Sequence, residues 1–262
     1  MDLELRGKNV LVTGASQGLG LACARGFAAE GCRVNMAARN APAMNAARES
    51  MIKQHGVEVT CHPLDLSVSD NVRGLAGACG DIDILVNNAG AIPAGGLHEV
   101  DEQRWRQAWD LKVFGYVNLT REVYARMKAR KAGVIVNIIG VAGERHRSDY
   151  IAGTTGNAGL MAFTRARGSE SVDFGVRVVG INPGRFETER QVKHLKEAAQ
   201  KEFGDSGRWQ EIRARMVETL PFKRSGRPEE VADLALFLAS ARASYISGTV
   251  VTIDAGQTLR PR

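Results

Sequence analysis

Seven short apolar runs punctuate the chain: KNVLVT (8–13), RVNMAA (33–38), VEVTCH (57–62), DILVNN (83–88), GVIVNII (133–139), VRVVGI (176–181) and TVVTID (249–254). They are rich in Val and Ile, and most are apolar continuously rather than on alternate residues. That pattern predicts strands covered on both faces, as in a parallel sheet. Between them lie longer stretches with helical spacing, such as LGLACARGFAAEG, closed by Gly31. Strand–helix alternation over the whole length predicts an α/β fold, a doubly wound parallel sheet of about seven strands with helices on both faces. No linker interrupts the alternation, so residues 1–262 read as a single domain.

One segment breaks the rhythm. Residues 185–225, RFETERQVKHLKEAAQKEFGDSGRWQEIRARMVETLPFKRS, are charged and read as two helices before the final helix–strand unit. In an open α/β sheet this position lies over the carboxyl edge, where ligands bind, and a long insertion there is expected to form a substrate lid.

Composition narrows the picture. The chain is long enough for one well-buried core, and 44% hydrophobic with 24% charged residues suits a soluble globular protein. The net charge of +6 is scattered rather than blocked, which suits an anionic ligand and argues against nucleic acid as a partner. Cys23, Cys32, Cys61 and Cys79 show no CxxC pairing, and the five histidines form no metal-ligand spacing. No apolar run approaches the ~20 residues of a membrane span, and MDLELRGKNV does not read as a signal peptide. The expectation is a cytoplasmic, metal-free protein with reduced thiols and no membrane partner.

TGASQGLG (13–20) follows the first strand and opens a helix. Gly14 permits a tight turn, Gly18 lets backbone approach a pyrophosphate, and Gly20 allows close helix packing. Ser16, Gln17 and Leu19 complete the loop. The helix N-terminus then offers free N–H groups to phosphates, so this end is expected to bind a dinucleotide.

The glycine spacing is GxxxGxG. With NNAG (87–90), NPGRFET (182–188) and the ending GRPEEVADLALFLASARASYISGTVVTIDAG (226–256), the chain resembles the short-chain dehydrogenase/reductases over its full length. The resemblance implies a Rossmann-type fold and an NAD(P)-dependent oxidoreductase acting on a small carbonyl or alcohol substrate. It implies that Asp65 and Leu66 lie beside the adenine, and that Asn88, Ala89 and Gly90 run along the ribose toward the nicotinamide. Pro183, Gly184, Phe186 and Thr188 would frame the carboxamide and pyrophosphate, while Asn87 would tie strands together. A homodimer or homotetramer is implied as well, through the helices after the fourth and fifth strands. The second strand ends in Ala38, Arg39 and Asn40. No acidic residue is there to bond both ribose hydroxyls, and Arg39 suits a 2′-phosphate, so NADP(H) is expected in preference to NAD(H).

The family pattern also implies a serine, a tyrosine thirteen residues later, a lysine four beyond it, and an asparagine from the helix after the fourth strand. Anchored on VIVNIIGVAG and GNAGLMAFTRA, those positions hold Gly140, Gly153 and Asn157, and WDLKVFGYVNLT puts Lys112 at the fourth. Glycine has no proton to give, so the residues admit three readings. Tyr150 takes over proton transfer, with Arg145 and His146 as other donors on its loop, the Lys112 ammonium replacing the charge lost at 157, and Asn157 binding ribose or water. Alternatively the fold binds the nucleotide without redox chemistry, as a sensor or scaffold. In the third reading it runs a non-redox reaction, as a lyase or hydratase.

Overall fold

The structure is a computed structural model that describes residues 2–260. Seven parallel strands form one sheet in the order β3-β2-β1-β4-β5-β6-β7. They are β1 (Asn9–Thr13), β2 (Arg33–Ala38), β3 (Val59–Pro63), β4 (Ile84–Asn87), β5 (Gly133–Ile138), β6 (Val176–Pro183) and β7 (Val250–Ile253). All seven predicted runs are strands, most trimmed by a residue or two at an end. The order reverses between β1 and β4, and the crevice at their carboxyl ends is where such sheets bind ligands.

Helices cover both faces. On one lie α1 (Gly18–Ala29), α2 (Ala41–His55) and α9 (Pro228–Ala239), whose Phe27, Met44, Met51 and Leu236 pack over Val12, Met36 and Val179. On the other lie α3 (Ser69–Ala78) and α5 (Gly115–Arg130), whose Leu75, Leu119, Val123 and Met127 pack over Leu11, Leu85 and Ile135. With both faces covered, the central strands are buried throughout, which is why their runs are continuously apolar.

Local chemistry sets the helix limits. Asn40 caps α2 by accepting from the Ala43 amide at 3.1 Å, and Gly56 ends it in the left-handed region at φ 64°. Residues 185–225 fold, as expected, into α7 (Glu189–Phe203) and α8 (Trp209–Thr219), with Thr188 capping α7 and Gly204 ending it. Gly31 falls just past α1, whose last residue is Ala29.

The stretch before α5 departs from a plain helix. α4 (Glu102–Trp109) runs into a π-helical turn at Asp110–Phe114, and only then does α5 begin. Trp109 pins this turn by donating from its indole to the Ala152 carbonyl at 3.0 Å, at the start of α6 (Ile151–Ser171). Such wide turns re-aim side chains and often mark functional sites, and this one carries Lys112.

Candidate active site

A cleft of about 1400 Å³ opens along the carboxyl ends of the strands. That exceeds what a single small ligand fills, so the cleft has room for a dinucleotide and a second molecule. Its floor at one end is the loop between β1 and α1. Gly14 and Gly18 adopt φ of +65° and +55°, which side-chain-bearing residues rarely take. An added Cβ on Gly18 would stand in ordinary contact with Thr188 and Glu189 at 3.5–3.6 Å, and no side chain caps α1, whose first amides stay available to an anion. Gly20 is needed for close packing, as expected, although what it packs on is the Gly14 carbonyl and the Asn88 amide rather than a strand.

The other sequence-predicted cofactor positions gather here too. Ser16, Gln17, Leu19, Arg39, Asn40, Leu66, Ala89, Gly90, Pro183, Gly184, Phe186 and Thr188 all line the cleft. Asn88 lines it as well, but its side-chain amide is spent on the Thr13 and Gly14 carbonyls at 3.0 and 3.3 Å. It therefore shapes the glycine loop with that group. Asn87 is structural, donating to Thr120 and Asn137 between strands. Arg39, with 68% of its side chain exposed, hangs 3.7 Å from Asp65, the one predicted cofactor residue besides Gly20 that does not itself line the cleft. Burial raises the Asp65 carboxyl, but two hydrogen bonds from Ser67 and the Arg39 charge outweigh it and hold the group below its ordinary value.

At the other end, side chains replace backbone. Gly140 follows β5 at φ +131°, and its amide donates to the Asn182 side chain at 3.2 Å. Gly153 lies on α6, buried and off the cleft wall. A Cβ built on Gly153 would clash with the edge of the Tyr150 ring, so the phenol occupies the space that a side chain at 153 would take. Tyr150 lines the cleft instead. It stands at the N-cap of α6 yet makes no side-chain cap bond, and its ring packs against the Ile92, Ala108 and Ala152 cluster. Its backbone is fixed by Gly95, which donates to the Asp149 carbonyl at 2.8 Å and accepts from the Ile151 amide at 3.3 Å. Its hydroxyl accepts from Arg190 at 3.5 Å.

Lys112 and Asn157 meet the end of β5 at consecutive carbonyls. The Lys112 side chain crosses over Gly90, where a Cβ would fall 2.7 Å from Lys112 Cδ, and its Nζ donates to the Ile139 carbonyl at 2.7 Å. Asn157 Nδ2 donates to the Gly140 carbonyl at 3.4 Å, while its Oδ1 is buried without a partner among the described residues. Burial, reinforced by the Arg190 charge, pushes the Lys112 amine down to about 7.

Arg145 is half-buried and His146 exposed, both on the cleft wall. Three contributors escaped the sequence reading. Arg185 and Arg190 line the cleft from the start of the 185–225 segment. Glu144 accepts from Asn182 at 2.9 Å and from Thr252 at 2.8 Å, bracing the residue that holds the Gly140 amide. No spacing rule marks them; the only signal was a cluster of arginines in RFETER next to a ligand-binding edge.

Among the described residues no group of His, Cys, Asp and Glu could hold a metal, and no helix is long and apolar enough to cross a membrane. The four cysteines are unpaired, and burial pushes the Cys23, Cys32 and Cys79 thiols up to about 12.

A sheet of this order with a glycine cradle at its switch point defines a dinucleotide-binding class of α/β protein. The short chain dehydrogenase family profile matches residues 8–199, and the chain belongs to that family. It is 30% identical to glucose 1-dehydrogenase 2 of Bacillus subtilis, over 100% of this chain and 98% of that one. It is 33% identical to 3beta-hydroxysteroid dehydrogenase 1 of Eggerthella lenta, over 98% and 96%. The solved structure of L-sorbose reductase from Gluconobacter frateurii, complexed with NADPH and L-sorbose, superposes with a TM-score of 0.93 at 31% identity and covers both chains completely. These relatives are named for sugars and a steroid, so family membership does not name a substrate.

Proposed function

We propose that this protein is an NADP(H)-dependent oxidoreductase interconverting a small carbonyl compound and its alcohol, with Tyr150 as the proton-transfer residue. One observation carries the reading: the Tyr150 ring fills the side-chain volume left by Gly153, and Tyr150 lines the cleft where Gly153 does not. The family pattern puts the acid–base tyrosine at 153, so the phenol is supplied from one helical turn earlier in the chain.

The residues present fit the dinucleotide. The amides of the 14–20 loop would hold the pyrophosphate, Arg39 and Asn40 the 2′-phosphate, and Asp65 and Leu66 the adenine. Asn88, Ala89, Gly90, Pro183, Gly184, Phe186 and Thr188 would frame the ribose and nicotinamide. When bound, the nucleotide supplies or accepts the hydride. Tyr150 gives its hydroxyl proton to the substrate oxygen during reduction and takes it back during oxidation. The Arg190 guanidinium donates to that hydroxyl and so helps hold the phenol at this point of the cleft. Lys112 and Asn157 exchange the usual order of amine and amide: the amine sits at the strand end, and the unpartnered Asn157 Oδ1 is an acceptor for a ribose hydroxyl or a water. Residues 185–225 act as the lid. The NADPH in the L-sorbose reductase structure and the absence of an acid at the end of β2 support the cofactor choice. We also assign a homodimer or homotetramer, supported by Phe114, which stays half-exposed at the π turn beside α5.

The test is fluorescence titration with NADPH and NADH, then assay of carbonyl and alcohol panels by nicotinamide absorbance. NADPH should bind about ten-fold or more tighter than NADH and be consumed. Binding without consumption on any carbonyl would overturn the redox reading in favour of a sensor or a non-redox enzyme.

A further inference from the structure

We propose that the substrate end of the cleft is built for an anion: a carbonyl compound carrying a carboxylate or phosphate group, held by Arg145 and Arg185 beside Arg190. The inference rests on the oxidoreductase reading of the same cleft and adds to it the class of substrate.

The charges that line the cleft do not balance. Arg145, Arg147, Arg185 and Arg190 face it, against only two carboxylates among the described residues, Asp149 and Glu189. Asp149 is already taken by both ends of the Arg147 guanidinium, at 2.9 and 2.6 Å. Glu189 lies at the phosphate-loop end, its Oε2 3.6 Å from where a Cβ on Gly18 would stand. Among the described residues three guanidiniums are left without a carboxylate. Arg185 has only the Met216 sulfur at 3.4 Å, Arg190 has the Ile92 carbonyl at 2.9 Å and the Tyr150 hydroxyl, and Arg145 has no hydrogen-bond partner for its side chain among the described residues.

The lid's other arginines behave differently. Arg208 pairs with Glu211, Arg213 with Glu187, Arg215 with Glu202 and Arg224 with Glu230. Wherever the lid's arginines turn from the cleft they are neutralised, and where they turn toward it they are not. Arg185, Arg147 and Arg145 are close enough to repel: after burial, the charges of the other two are what lower the Arg185 guanidinium from its ordinary value. A bound oxyanion relieves that repulsion and accepts charge-assisted, two-pronged hydrogen bonds. Arg190 lines the same cleft and reaches the Tyr150 hydroxyl, so an anion held on these arginines shares the cleft with the carbonyl being reduced. Leu195, Ala198, Ile212 and Met216 line the same end, which suits a short apolar link between the two groups.

The experiment is calorimetry on the NADP+-loaded full chain with three matched ketones: levulinate, its methyl ester, and acetonylphosphonate. Consumption of NADPH is followed with each in parallel. At least one anion should bind about ten-fold or more tighter than the ester, and the advantage should shrink as salt is raised. The relative affinity of the two anions tells a carboxylate site from a phosphate site. An Arg145→Met/Arg185→Met double variant should lose the preference with NADPH affinity and melting temperature unchanged, and Arg185→Lys should keep most of it. Should the double variant fail to fold, the acid-to-ester ratio of the unmodified protein and its salt dependence decide the matter. Equal affinity for acid and ester, or no anion binding at about 10 mM, overturns the inference. Anion preference without NADPH consumption would keep the anion site and overturn the redox reading, whereas consumption with no preference does the reverse.

Discussion

Around Gly14, Gly18 and Gly20 the cleft is made of backbone, whereas Gly140 and Gly153 are crowded by side chains, Asn157 beside the one and the Tyr150 ring beside the other. The same residue type plays opposite parts. A Cβ on Gly20 would meet the Gly14 carbonyl, which the β1–α1 turn holds in place. A Cβ on Gly153 would meet the ring of Tyr150, which can swing about its own Cα–Cβ bond. One glycine is required by the fold, and the other stands against a side chain that can move.

That contrast can be broken at several points. The largest effect is expected from Gly20→Ala: about 1–3 kcal/mol of stability lost in denaturant unfolding, together with most of the NADPH affinity. Gly153→Ala should do nearly the reverse. Its melting temperature and NADPH affinity stay close to those of the unmodified protein, while turnover falls roughly 10²-fold because the phenol is displaced from its working position. If Gly153→Ala turned over normally, the ring would have no role there.

A smaller effect separates the phosphate-reading group from the rest. Arg39→Ala should weaken NADPH by about ten-fold in fluorescence titration and leave NADH unchanged. A further test is a matter of pH. The Lys112 amine is held down to about 7 in the folded protein, whereas in the unfolded chain it titrates near its ordinary ~10.4. Between those values the unfolded chain binds the extra proton, so this group makes stability rise with pH across that window. Lys112→Met lacks the dependence. Urea midpoints should therefore place the variant above the unmodified protein near pH 7, with the gap closing as pH is raised.

The two halves also differed in how much the sequence disclosed. Backbone sites write themselves as spacing, so the glycine loop, NNAG and the apolar runs were enough to predict the sheet and the nucleotide end. At the other end the thirteen- and four-residue intervals of the family pattern ran through Gly140, Gly153 and Asn157 without a gap, which marked these positions out. What filled them was not legible. Whether Tyr150 lies over Gly153 depends on the Gly95 bridge that fixes its backbone, a contact spanning 55 residues. The path of Lys112 depends on a π turn that no periodicity announces. The charge state of that lysine depends on burial, and on an arginine 78 residues further on. Arg190 itself read as one charge among many in a polar segment; only its place beside the Tyr150 hydroxyl singles it out.

The most direct test of the account is single-turnover hydride transfer in the unmodified protein and in Tyr150→Phe, with NADPH saturating and the best carbonyl substrate from the panel. The phenylalanine keeps the ring that fills the space over Gly153 and removes only the hydroxyl. The account predicts unchanged NADPH affinity and a rate reduced by about 10²–10⁴-fold. A Tyr150→Phe protein that transfers hydride at the unmodified rate would contradict it, and proton transfer would have to be sought elsewhere in the cleft.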